Sequence, residues 1–409
     1  MRKKRISFFL CSAIFVVILT GCGGQTENVQ EKEAKEIKIW YYWETEGHQE
    51  GLNKIIDDYN ASQTKYKVKS EYVPFADFKK QLSIRASIDD LPDLVIVDSP
   101  DHAFYAKKGI FADLTDKFDV SGYYEASVAS CTLDDILYGV PFGCNCLGLY
   151  YNEDMLKEAG VPVPHTWEEL KSAALALTEG DVTGFAMSCV QNEEGTFGFM
   201  PFLWSAGASY DTMGSEGAVE ALSLFQELVA SGSMPKECIN WTQADVMSQF
   251  ESGNIAMMIN GPWQIPTMEK DVADINWKVT MIPAKQNMVS AVGGENYAVI
   301  AGGDEKGALA FLEYATKEES VKYLMKSLGY IAAQKEIAKI QFTEKDNEAY
   351  QVFTEILGYA KARGPHENWP EISDAVSQAL NQVIVGTKSP SQAAYEAQIK
   401  INSIQEEGK

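Results

Sequence analysis

The run from Tyr138 to Leu170, YGVPFGCNCLGLYYNEDMLKEAGVPVPHTWEEL, constrains the fold of this chain more than any other stretch. Gly139, Pro141 and Gly143 make a turn, and an apolar strand follows from Cys146 to Tyr151. The pattern changes at Asn152, a residue suited to capping a helix, with Glu153 and Asp154 favourable at the positive end of the helix dipole. Gly160 stops that helix, the Val-Pro-Val-Pro segment stiffens the exit, and Thr166 with Glu169 forms a capping box for a second helix. The segment therefore reads as a strand, a short helix and a spacer leading into another helix.

Strand and helix signals alternate along the rest of the chain, which predicts an α/β architecture with mostly parallel sheets. Ile37 to Trp43 is an aromatic-rich strand, and Leu52, Ile55, Ile56 and Tyr59 follow at helical spacing. Tyr66 to Val73 alternates as a strand, and Leu94 to Val97 is a short buried strand ending at Asp98. Further strands are predicted at Asn254 to Ile259, Trp277 to Ile282 and Tyr297 to Ala301, the last preceded by an interruption at Gly293-Gly294. Beyond residue 305 the pattern is almost entirely helical, and no internal repeat is visible.

The N-terminus carries a positive cluster, Arg2 to Arg5, followed by a predominantly apolar stretch of fifteen residues, Ile6 to Thr20. That is shorter than the ~20 residues a helix needs to span a bilayer, so it reads as a signal peptide over residues 1–21. Leu19-Thr20-Gly21-Cys22 matches the bacterial lipobox, making Cys22 the expected lipidation site; the alternative is a small-residue cleavage site with an incidental cysteine. Residues 22–36 form a polar tether. Removing the four basic residues of the leader from a chain of net charge −23 leaves −27. Such a balance argues against nucleic acid as a partner, because phosphate neutralisation needs clustered Lys and Arg, and against anionic ligands as well.

About 370 residues remain after the tether, more than one core holds and typical of two lobes. Outside the leader and Cys22 there are five cysteines, an odd and scattered set that does not read as a disulfide framework. Cys144 and Cys146 share a strand face, but with four histidines in the chain and no second cysteine pair nearby they read as buried free thiols rather than a metal site. No GxSxG, HExxH or P-loop pattern is present, and no carboxylate pair stands out as a hydrolytic acid and base.

Residues 138–170, Asn260-Gly261-Pro262-Trp263, Gly293-Gly294-Glu295 and the RGPHENWPEI string at 363–372 together resemble the ABC-transporter solute-binding proteins. The similarity is to the carbohydrate-type extracellular family that includes maltose-binding proteins. It covers nearly the whole chain after the tether; Cys144 and Cys146 around Asn145, where other small residues are more usual, depart from it. The resemblance implies a two-lobed periplasmic-binding-protein-like fold of type II with a ligand cleft between the lobes. It assigns residues 37–143 plus 293–335 to the first lobe and 144–292 plus 336–409 to the second. It implies a binding protein rather than an enzyme: a monomer without cofactor or metal, lipid-anchored at the outer face of a bacterial cytoplasmic membrane. Such a protein captures a di- or oligosaccharide and hands it to the permease subunits of an importer.

Sugar binding requires flat apolar surfaces for C–H faces and fixed polar groups for hydroxyls. By that resemblance Trp263 is the stacking residue, the alternative being a tryptophan packed between helices. Trp43 and Glu44 follow the first strand as hydrogen-bonding candidates, or as a solvated acidic turn. Asp98 ends a strand, to face the ligand or to cap the next helix. Asn145 at the crossover, Trp204 in FLWSAGAS, Glu295 after the glycine pair and Trp369 near the C-terminus complete the expected set. The rival readings are the same fold holding a non-sugar solute such as a polyamine or a metal chelate, a surface-anchored glycosidase, and an adhesin, which the absence of repeats disfavours.

Overall fold

The structure, a computed structural model, describes residues 34–271, 275–341 and 348–407. The expected signal peptide, Cys22 and most of the tether lie outside the described residues. In chain order the strands are β1 (Lys35–Tyr41), β2 (Tyr66–Tyr72), β3 (Leu94–Asp98), β4 (Thr132–Leu133), β5 (Ile136–Leu137) and β6 (Val140–Cys146). Then come β7 (Gly148–Asn152), β8 (Met257–Asn260), β9 (Trp277–Thr280), β10 (Ser290–Val299), β11 (Ile331–Ala332) and β12 (Ala360–Ala362). The wider sheet has seven strands in the order β11-β6-β10-β3-β1-β2, with β12 also paired to β10; the narrower has three, β8-β7-β9.

Local sequence explains the first half of the wider sheet. The helix Glu46–Ser62 buries Leu52, Ile55, Ile56 and Tyr59, the predicted stripe, and serves as the crossover between parallel β1 and β2. Every residue of β3 is buried, as expected for a strand with both faces covered. The capping predictions also hold. Asn152 accepts from the amides of Asp154 and Met155, Gly160 ends that helix in the left-handed region, and Thr166 with Glu169 forms the capping box.

Three expectations are corrected. The strand predicted over Cys146 to Tyr151 is broken at Leu147, where the chain leaves β6 in the wider sheet and enters β7 in the narrower one. Gly293-Gly294 does not interrupt the pattern; both glycines lie inside the ten-residue β10. The sheets are not mostly parallel either. β10 is antiparallel to both β3 and β6, and the narrower sheet is antiparallel throughout. A parallel neighbour needs a crossover of a dozen or more residues. Here a single residue carries the chain out of the wider sheet, and β10 returns to it without an intervening helix.

The two crossings are fastened together. Leu147 lies between strands, so its backbone groups have no ladder partner. The Ser290 hydroxyl, at the start of β10, supplies both bonds: it accepts from Leu147 N at 3.0 Å and donates to Leu147 O at 2.7 Å.

Candidate ligand-binding site

The register of β10 builds the floor of a cleft. Gly293 pairs with Asn145 on β6, and Glu295 pairs with Asp98 at the end of β3. Residues two apart on a strand share a face, so Asn145, Asp98 and Glu295 emerge on one side of the sheet. Gly293 must be small there, since a Cβ would lie 2.5 Å from Asn145 Oδ1 and 3.0 Å from the Phe197 ring. Tyr42, Trp43 and Glu44 leave the carboxyl end of β1 at the same edge, the position at which open α/β sheets place ligands.

The opposite wall comes from the narrower sheet and its helices. β8 ends at Asn260, and Pro262–Gln264 forms one tight helical turn that projects Trp263. Gly261 is required by that turn, because a Cβ would meet the Trp263 ring at 1.9 Å. Trp263 stacks on Phe197 with ring centroids 6.1 Å apart and 25° between planes. Phe197 belongs to the helix Glu193–Ser205, whose N-terminus is capped by Asn192 and presents Glu193 and Glu194 to the cleft. The space between the walls is about 740 Å³, a figure that includes open solvent at the mouth.

Six of the eight expected residues, Trp43, Glu44, Asp98, Asn145, Trp263 and Glu295, line this one cleft. Trp204 and Trp369 do not. Trp204 packs in the core around its helix. Trp369 is fully buried and acts from behind, donating its indole N–H to Glu193 Oε2 at 2.8 Å. Sequence reasoning missed Tyr42, Glu193, Glu194, Phe197, Tyr330 and Arg363, all of which line the cleft. A signal existed for two sets of these. Asn192-Glu193-Glu194 is a readable helix start, and Arg363 opens the string that also holds Trp369.

Arg363 organises the charges. Its guanidinium reaches both Asp98 oxygens at 3.4 Å, donates to Glu193 Oε1, and lies 3.9 Å over the Phe197 ring. It thereby ties the edge of the wider sheet to the helix that carries the opposite wall. Lys79 adds a second cation, 2.8 Å from Asp101 and 3.8 Å from Glu193. Burial pushes the Asp98 carboxyl upward, with Arg363 opposing it.

Glu295 is held differently. Its Oε1 accepts from the Tyr330 hydroxyl at 2.8 Å, the Tyr42 hydroxyl at 3.1 Å and the Trp43 indole at 3.2 Å. Its Oε2 has no hydrogen-bond partner, nor has Asn145 Oδ1. Burial, reinforced by Asp98, raises the Glu295 carboxyl to about 7. Glu194 is also raised to about 7, by burial first and then by Glu44. His48, buried beside the Trp263 backbone, is lowered to about 4 and is neutral at pH 7. The thiols flanking Asn145 are unpaired, and burial pushes Cys144 up to about 12 and Cys146 upward too, so neither is a thiolate at neutral pH.

The site is thus a two-walled cleft of aromatic planes and buried polar acceptors. Residues 54–351 match the family described as bacterial extracellular solute-binding protein. The chain belongs to that family. It is a family of binding proteins rather than enzymes, and membership implies a periplasmic or surface location. Among curated relatives, the galactooligosaccharide-binding protein of Bacillus subtilis is 26% identical over 419 residues, covering 97% of this chain and 96% of its own. A solute-binding protein of Thermotoga lettingae, solved with α-D-tagatose, superimposes with a TM-score of 0.83 at 23% identity, over 91% of this chain and 100% of its own. The GacH receptor of Streptomyces glaucescens, solved unliganded and with acarbose, gives 0.82 at 23% identity, over 91% and 98%. The chain shares the two-lobed fold of these solute-binding proteins.

Proposed function

We propose that this protein captures a sugar, of disaccharide size or larger, between its lobes and delivers it to the permease of an ABC importer. The observation that carries the reading is the pairing of Trp263, stacked on Phe197, with the partnerless oxygens of Asn145 and Glu295 in one cleft. A ring needs both at once: an aromatic plane against its C–H face and fixed acceptors for its hydroxyls. Trp43, Glu44, Asp98, Asn145, Trp263 and Glu295 are the ligand residues in this reading. The ligands named for the relatives, galactooligosaccharide, tagatose and acarbose, support it.

In this reading the lobes follow the two sheets, meeting at Leu147 and at the start of β10, and no chemistry is done on the ligand. Asp98 is occupied by Arg363, and Glu295 by three donors. The leader over residues 1–21 directs export, Cys22 carries the lipid, and the tether holds a monomer at the outer membrane face beside its permease subunits. Thermal-shift screening against mono-, di- and oligosaccharides tests the capture step. A ligand at 100 times its Kd stabilises by ~2.7 kcal/mol, and a panel that leaves the melting temperature unmoved would refute the sugar reading.

A further inference from the structure

Five carboxylates line the cleft, Glu44, Asp98, Glu193, Glu194 and Glu295, against a single cationic side chain, Arg363, since His48 beside them is neutral at pH 7. Arg363 is committed to Asp98 and Glu193, and Lys79 behind them to Asp101 and Glu193. Glu44, Glu194 and Glu295 make no ion pair among the described residues. Glu295 is only 5% exposed and Asn145 4%, yet Glu295 Oε2 and Asn145 Oδ1 have no donor. A buried acceptor without a donor is costly, so both atoms want N–H or O–H groups from whatever enters. Aromatic rings surround this spot: Tyr42, Trp43, Phe197, Trp263 and Tyr330. Rings and carboxylates together are the surroundings that stabilise an organic cation.

The lobes also bring like charges together. Glu44 follows β1 of the wider sheet, while Glu194 and Asp245 stand at helix starts on the far side; burial and then Asp245 raise the Glu44 carboxyl, and burial with Glu44 and Asp245 raises that of Glu194. Among the described residues no three His, Cys, Asp or Glu side chains converge as metal ligands, so a divalent ion is not the natural counter-charge.

We propose that the sugar held by this cleft carries a protonated amine, as an amino sugar or an oligosaccharide containing one, with the ammonium received by Glu295 and Asn145. The proposal rests on the sugar reading above and adds the charge of the ligand to it. An ammonium supplies several donors where a hydroxyl supplies one, and it balances a carboxylate that a neutral ring leaves uncompensated. The pH dependence separates the two ligand types. A neutral sugar is best accommodated when Glu295 and Glu194 are protonated, so its affinity falls as pH rises toward and through 7. A cationic sugar needs Glu295 ionised, so its affinity rises from pH 5.5 to 7. The groups facing Glu295 are Tyr42, Trp43, Tyr330 and Asp98; those facing Glu194 are Ser188, Gln243, Glu44 and Asp245.

Calorimetric titration of the full-length protein with matched pairs decides the matter: glucosamine against glucose, galactosamine against galactose, and deacetylated chito-oligosaccharides against cello-oligosaccharides of equal length. The amino member is expected to bind about tenfold tighter or more at pH 7. Glu295→Gln should reduce that ratio to within about threefold, and Glu44→Gln, at an exposed position and therefore safe for folding, should reduce it in the same direction. Neutral sugars binding as tightly as their amino partners would overturn the proposal and leave the sugar reading standing. Failure of every sugar, neutral and amino alike, would overturn both. Putrescine or spermidine binding where no sugar does would equally refute an amino sugar as the ligand.

Discussion

At the scale of single residues, the site depends on a few side chains whose freedom has been removed. Trp263 is fixed by Gly261 beneath its ring and by Phe197 beside it, so it meets a ligand already oriented. Trp263→Ala should weaken sugar binding by ~2–4 kcal/mol, about 30- to 700-fold in Kd, with the circular dichroism spectrum unchanged. A titration giving wild-type affinity would remove Trp263 from the site. Glu295 makes a pH-dependent contribution whose sign follows from its upward shift. Its carboxyl titrates at about 7 in the fold, against about 4.3 in an unfolded chain. Between those values the folded state holds a proton that the unfolded state has released, so raising pH favours unfolding. The stability of wild type relative to Glu295→Gln should therefore fall as pH climbs from about 4.5 to about 7, by on the order of 3 kcal/mol, and stay level above. Denaturant melts of both proteins across that window measure it. A difference independent of pH would show that the carboxyl is not raised in the fold.

At the scale of elements, β6 and β10 do two jobs, completing the wider sheet and carrying the chain to and from the narrower one. Their pairing is close enough to demand glycine. Gly294 has φ +143°, and a Cβ there would stand 2.3 Å from the Gly143 carbonyl oxygen. Gly294→Ala should destabilise by about 3 kcal/mol or more, from backbone strain together with the clash. Gly302→Ala, also at positive φ but with open space around its Cβ position, is the control for strain alone. Equal losses at the two sites would show that close packing of β6 on β10 contributes nothing. Legibility was uneven at this scale. Helix starts and stops with side-chain caps, at Asn152, Gly160 and Thr166, could be read directly because their chemistry is local. The glycine pair reads in sequence as a break, since a glycine needed for close packing looks there like a glycine that ends a strand.

At the scale of the whole molecule, the few crossings between the sheets predict rigid-body closure around a ligand. Arg363 bridges Asp98 on one side and Glu193 on the other, so closure is accompanied by a charged contact that opening would have to break. Small-angle scattering of the protein with and without a tightly bound sugar should give distinct curves, the liganded form being more compact. Superimposable curves would mean that the lobes do not move.

The sequence by itself determined the strand and helix order of most of the chain, the caps, the family resemblance and six cleft residues. These depend on neighbours within a few positions or on short strings at strand ends. Only the tertiary structure decided strand direction, because β10 joins β3 and β6 across nearly two hundred and nearly one hundred and fifty residues of chain, respectively. It alone also separated the tryptophans. Trp263 and Trp369 both follow a proline-containing string, but one lines the cleft and the other is sealed behind Glu193. The charge network of Arg363, Asp98 and Glu193 was equally invisible, since its members lie 170 and 265 residues apart. Burial and through-space charge are properties of the assembled chain, and no local pattern encodes them.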